Sequence, residues 1–60
     1  MRIKKFDVVE LKNENRAVIL AKENKEFYAE IVDDSGNTLE YRNISAEEIK
    51  RVIFSKDKQR

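Results

Sequence analysis

Two carboxylate pairs, Asp33-Asp34 and Glu47-Glu48, and two serines, Ser35 and Ser45, are the side chains whose types and spacing can do chemistry here. A serine nucleophile needs a neighbouring base, and the chain has neither histidine nor cysteine with which to build a nucleophile–imidazole pair. Paired carboxylates do acid–base work only in a cleft that moves their proton affinities apart. A domain this small seldom encloses one. Asp33-Asp34-Ser35-Gly36-Asn37 has the flavour of a calcium loop, but the twelve-residue ligand spacing and the closing Glu are missing. The hydroxyls fit structural roles better, Ser35 in a turn and Ser45 at a helix cap. The chemistry therefore points to a protein that is not an enzyme and needs no cofactor or metal.

Recognition is the remaining class. Net charge is only +1, yet it is unevenly spread. Residues 1–5 and 50–60 carry eight Lys/Arg against the single Asp57, a local +7, while residues 6–49 carry five basic and eleven acidic side chains, a local −6. If first and last segments meet, Arg2, Lys4, Lys5, Lys50, Arg51, Lys56, Lys58 and Arg60 form a positive pole opposite an acidic belt. That pole suits phosphates or an acidic partner. The plainer reading makes these side chains solvated tails that keep a small domain soluble. A second candidate surface is apolar: Tyr28, Val32 and Ile44 are the expected exposed hydrophobics, a seam for another protein or for a second copy.

Sixty residues make one domain, read as a core over residues 6–54 with flexible basic ends at 1–5 and 55–60. A chain of this length buries only about 60% of its unfolded surface, so stability is marginal. With no cysteine to staple it, packing, a partner or self-association must supply the rest. The longest apolar run, Ala17-Val18-Ile19-Leu20-Ala21, is too short to cross a bilayer, and no apolar segment follows the basic N-terminus as in a signal peptide. A cytoplasmic location without membrane contact is expected.

The elements that must position these residues are short strands. Phe6–Leu11 splits Val9 and Leu11 from Phe6 and Val8. Arg16–Lys22 is apolar on both faces, which predicts a central strand. Glu26–Asp33 alternates cleanly, Phe27, Ala29 and Ile31 on one face and Tyr28, Glu30 and Val32 on the other. Gly36 supplies the left-handed residue of the next turn. In Thr38–Ile44, Leu39 and Tyr41 are expected inward, and Thr38, Glu40 and Arg42 outward. Tyr28 and Tyr41 would then lie on opposite faces. Ser45-Ala46-Glu47-Glu48 is a capping box, and Ile44 and Ile49 flank it as a hydrophobic staple. Beyond it, Val52, Ile53 and Phe54 favour one helical turn followed by a fifth strand; the alternative is a helix running to about Asp57, packed on a four-stranded antiparallel sheet.

Phe6-Asp7-Val8-Val9-Glu10-Leu11, Ile31-Val32-Asp33-Asp34-Ser35-Gly36 and Ile44-Ser45-Ala46-Glu47-Glu48-Ile49-Lys50-Arg51-Val52 together resemble the small SH3-like (KOW-type) barrels. Many short bacterial and phage proteins of uncharacterised role share that pattern. Phe6 stands where those barrels usually carry a glycine. The resemblance spans roughly residues 6–54 and implies a mainly β fold, a five-stranded barrel with one short helical turn before the last strand. Its motifs carry no functional residue set. As a class such barrels bind peptides, nucleic acids or other proteins, an analogy of fold rather than of site. Proline-rich peptides are read by aromatic grooves, commonly with Trp, and this chain has none.

The expected function is thus a non-enzymatic protein-interaction module, an accessory or regulatory protein of a bacterium or mobile element, with another protein as its partner or a second copy of itself. The alternative is nucleic-acid binding through convergent basic termini.

Overall fold

The computed structural model describes residues 2–55. It contains five strands, β1 (Val8–Leu11), β2 (Arg16–Glu23), β3 (Glu26–Val32), β4 (Thr38–Ser45) and β5 (Ile49–Phe54), with a 3-10 turn at Ala46–Glu48 before β5. All pair antiparallel in one sheet of order β4-β3-β2-β1-β5. The fold is mainly β, and the fifth strand replaces the alternative C-terminal helix. Ser45 explains part of that outcome. Its backbone N–H donates to Glu48 Oε2 at 3.1 Å, closing the turn after three residues. The β-branched Val52 and Ile53 then favour extension over helix.

β2 is the central strand, as its two apolar faces suggest. Val9, Ala17, Ile19 and Ala29 are fully buried, although no helix covers the sheet among the described residues. A single sheet can hide one face so completely only by curling over itself, and the molecule measures 28 × 25 × 17 Å. Leu11, Phe27, Ile31, Ile44 and Ile49 complete that core. Register shifts on β5 leave Lys50 and Ile53 opposite no residue of β1. A similar shift in the β3–β4 ladder falls at Leu39.

The core begins earlier than expected. Ile3 is 4% exposed and belongs to it, so residues 2–5 are anchored rather than a flexible end. The anchor is local: Lys4 N–H donates to Asp7 Oδ2 at 2.9 Å, and Asp7 N–H returns to the Lys4 carbonyl at 3.0 Å. Phe6 sits between them at φ +73°, the left-handed region that a bulky residue rarely occupies. Its N–H reaches the Ile19 carbonyl at 2.6 Å, and Ile19 N–H donates to the Asp7 carbonyl at 2.9 Å.

β4 is turned over relative to the sequence-based expectation. Leu39 and Tyr41 are 53% and 55% exposed, whereas Ile44, expected at the surface, is 1% exposed. The physical reason is parity. Ile44 precedes the Ser45 cap and docks in the core, and a strand alternates faces every residue. Fixing Ile44 inward sends Arg42 and Glu40 to the inner side and Tyr41 and Leu39 outward. Beyond the apolar core the inner side is polar: Arg42 Nη2 meets Glu48 at 3.1 Å and its Nε meets Glu40 at 3.3 Å.

Candidate interaction surface

The outer face of the sheet is where the unexplained apolar side chains collect. One cross-strand row runs Phe54, Val8, Val18, Glu30, Tyr41, each directly opposite the next, and so touches all five strands. Val8 and Val18 are half-buried, while Phe54 is 43% and Tyr41 55% exposed. Tyr28 lies on the same face, opposite Ala21 on one side and Asn43 on the other. Its ring stacks on that of Tyr41, with centroids 6.4 Å apart and planes 20° from parallel. The two tyrosines therefore share a face, contrary to the expectation that they point apart. A shared face gives the chain one aromatic surface, although without the Trp common in grooves that read proline-rich peptides.

Why the stack forms follows from the sheet. Glu30 and Tyr41 are direct partners, so Tyr28, two residues before Glu30, is the diagonal neighbour of Tyr41. Rings of that length bridge the diagonal and adopt an offset stack. Glu30 is braced within the patch by the Thr38 hydroxyl, which donates to its carboxylate. Of the expected apolar contacts, Tyr28 is in the patch, Val32 is half-buried opposite Thr38, and Ile44 is in the core. Leu39 and Tyr41 are the residues that sequence reasoning placed inside. The signal that finds them is Ile44 beside its cap, which sets the phase of the whole strand.

The basic candidates are only partly assembled. β1 and β5 do pair, which brings the first and last strands together. Arg51, however, faces Glu10 at the far end of β1 from residues 2–5, on the order of 10 Å along the strand at about 3.3 Å per residue. It is also engaged: Arg51 Nε donates to Glu10 Oε1 at 2.7 Å. That hydrogen bond holds the Glu10 carboxyl below its ordinary value against an opposing desolvation, helped by the charges of Lys50, Arg51 and Arg16. Lys5 Nζ lies 5.2 Å from the centre of the Phe6 ring. Arg2, Lys4 and Lys50 are exposed. Lys56, Lys58 and Arg60 lie outside the described residues.

The carboxylate pairs organise the backbone. Asp33 Oδ1 accepts from Asn37 N–H and Ser35 N–H, each at 2.9 Å. The bond from the Asn37 amide, followed by that from Ser35, lowers the Asp33 proton affinity. Glu48 is lowered too, first by the Ser45 amide and then by Arg42. Both shifts run opposite to what a general acid requires. No group of potential metal ligands forms among the described residues, and no helix there is long and apolar enough to cross a membrane. Comparison with protein-family models, with curated proteins and with solved structures finds no match.

Proposed function

We propose that this chain is a non-enzymatic protein-interaction module whose contact surface is the outer face of β3 and β4, centred on the Tyr28–Tyr41 stack. The stack carries the reading. Two exposed tyrosines held parallel beside an exposed leucine offer rigid, amphipathic area of the kind that dominates protein contacts, at little cost in side-chain entropy. Such a module works by occupancy rather than turnover, which suits an accessory or regulatory role. Nucleic-acid binding is less well supported. Single-stranded nucleic acid needs bases stacked on aromatics and phosphates met by cations on one track. Here Glu30 lies opposite Tyr41, with Asp33 and Asp34 in the adjoining turn, while the basic candidates Arg2, Lys4, Lys5, Lys50 and Arg51 sit around β1 and β5.

A photo-crosslinking residue placed at position 39 or 41, with position 50 as the control, tests the assignment in living cells. Protein adducts from 39 and 41 that are absent from 50 are the expected result. Nucleic-acid adducts, or adducts from position 50 alone, would overturn it. A salt titration against random DNA and RNA gives the complementary check: steeply salt-dependent binding, lost on removing residues 55–60, would establish the nucleic-acid reading instead.

A further inference from the structure

We infer that the chain pairs with a second copy of itself, edge to edge through β4 in antiparallel register centred on Tyr41, which extends this surface across two chains. The inference rests on the interaction reading above and names one partner. Among the described residues the eight-residue β4 pairs only with β3, so the alternate backbone donors and acceptors directed to its other edge meet no strand there, although the Asn43 carbonyl accepts from Arg42 Nη1 at 3.1 Å. An open strand edge is a template for another strand, and a two-fold axis through it makes the contact self-complementary.

Charge selects the register. A symmetric antiparallel pair keeps inner faces together and outer faces together, so each residue must meet one of its own face. Three such registers are centred on the middle of β4. Centring on Glu40 sets that carboxylate against the partner subunit's Glu40. Centring on Arg42 sets two guanidinium groups against each other. Centring on Tyr41 sets Glu40 against the partner subunit's Arg42 and Arg42 against the partner subunit's Glu40, all within the regular stretch that follows the offset at Leu39. Only the third joins opposite charges, and it does so twice. Tyr41 then meets the partner subunit's Tyr41, so the stack with Tyr28 becomes a row of four rings across the joined sheet. Arg42, which within the chain bridges Glu40 and Glu48, is already oriented along the inner side from which it would cross.

Sedimentation equilibrium from micromolar to millimolar concentration reads the outcome. The wild-type chain should approach twice its 7.1 kDa mass. Glu40→Arg and Arg42→Glu each place like charges across the axis and should weaken the dimer on the order of a hundredfold. Mixing these two variants should restore a one-to-one dimer, and the double exchange E40R/R42E should restore the homodimer. Circular dichroism confirms that each variant is folded. Independently of any variant, amide protection over residues 38–45 of the wild type should rise with concentration. A wild-type chain that stays at 7.1 kDa throughout, or single variants that dimerise as well as wild type, would overturn the inference. If that monomer still yields adducts with a different protein from position 39, self-pairing fails and the interaction reading stands. If position 39 yields no protein adduct either, both fail.

Discussion

The two halves of the outer face spend their exposed side chains differently. Around β1 and β5 the exposed Phe54 and Ile53 sit among basic residues that have local partners: Arg51 is paired with Glu10, Lys5 lies against the Phe6 ring, and the segment before β1 is tied down through Asp7. On β3 and β4 the exposed large side chains of the outer face are Tyr28, Leu39 and Tyr41, beside Glu30, while on the inner side Arg42 links Glu40 and Glu48. In an ordinary strand the charged residues face water and the apolar ones the core. The first half of β4 inverts that rule. The lesson is that exposure alone does not mark an interface; exposure of the wrong class of side chain, held in a fixed geometry, does.

The contrast can be broken most severely at the residue that sets it. Ile44→Ala empties a fully buried site that phases β4, and a loss of about 2–5 kcal/mol is expected. In so small a domain this should unfold much of the population at room temperature, read as a collapse of the urea midpoint. Gly36→Ala comes next. Gly36 holds φ +86° in the turn that lays β4 beside β3, and a Cβ there meets no neighbouring atom, so the penalty is conformational alone. About 1–2 kcal/mol is expected. Thermal unfolding measures it, and Gly36→Asn should recover part of the loss.

Tyr28→Ala removes the stacked ring while leaving the core intact. Stability should fall by only about 0.5–1.5 kcal/mol, yet crosslinking from position 41 should be largely lost. A large stability loss would instead make the pair a structural element. Acid sharpens the comparison at the junction of β4 and the 3-10 turn. Glu48, Asp33 and Glu10 all have folded-state proton affinities below their unfolded values. The unfolded chain therefore binds more protons as pH falls, and stability that is fully present above about pH 5 declines as pH drops through the folded values. Glu48→Gln should flatten that decline, measured as urea midpoints across the acid range. Arg51→Ala should give the smallest change of the set, because the exposed ion pair to Glu10 is screened by solvent.

The strands, the short cap and the fifth strand were legible in the sequence because each has a local cause. Glu26–Val32 alternates, Ser45 and Glu48 are spaced as a cap, and Val52 and Ile53 resist helix. The facing of β4 was not legible from hydrophobicity, since Leu39 and Tyr41 look like core residues and Arg42 and Glu40 look like surface. The one local cue is Ile44 beside the Ser45 cap, and its docking in the core fixes the phase. The Tyr28–Tyr41 pair depends on that phase, so the centre of the candidate site was hidden with it. Asp7 escaped notice for a related reason. A carboxylate at the start of a strand reads as solvated, but here it is 1% exposed because its Oδ2 closes the Lys4 turn.

The two places on β5 where Lys50 and Ile53 fall out of step with β1 have a consequence for higher-order assembly. A strand bent and twisted at two points offers a poor template for a newcomer, and one of those points carries a lysine. The opposite margin carries a single such offset, at Leu39, and runs regularly from Glu40 to Ser45; a symmetric contact there uses it up in both molecules. Stacking then ends at a pair. The same sixty residues with a straight final strand would have a second growing end, and with it a route to fibrils.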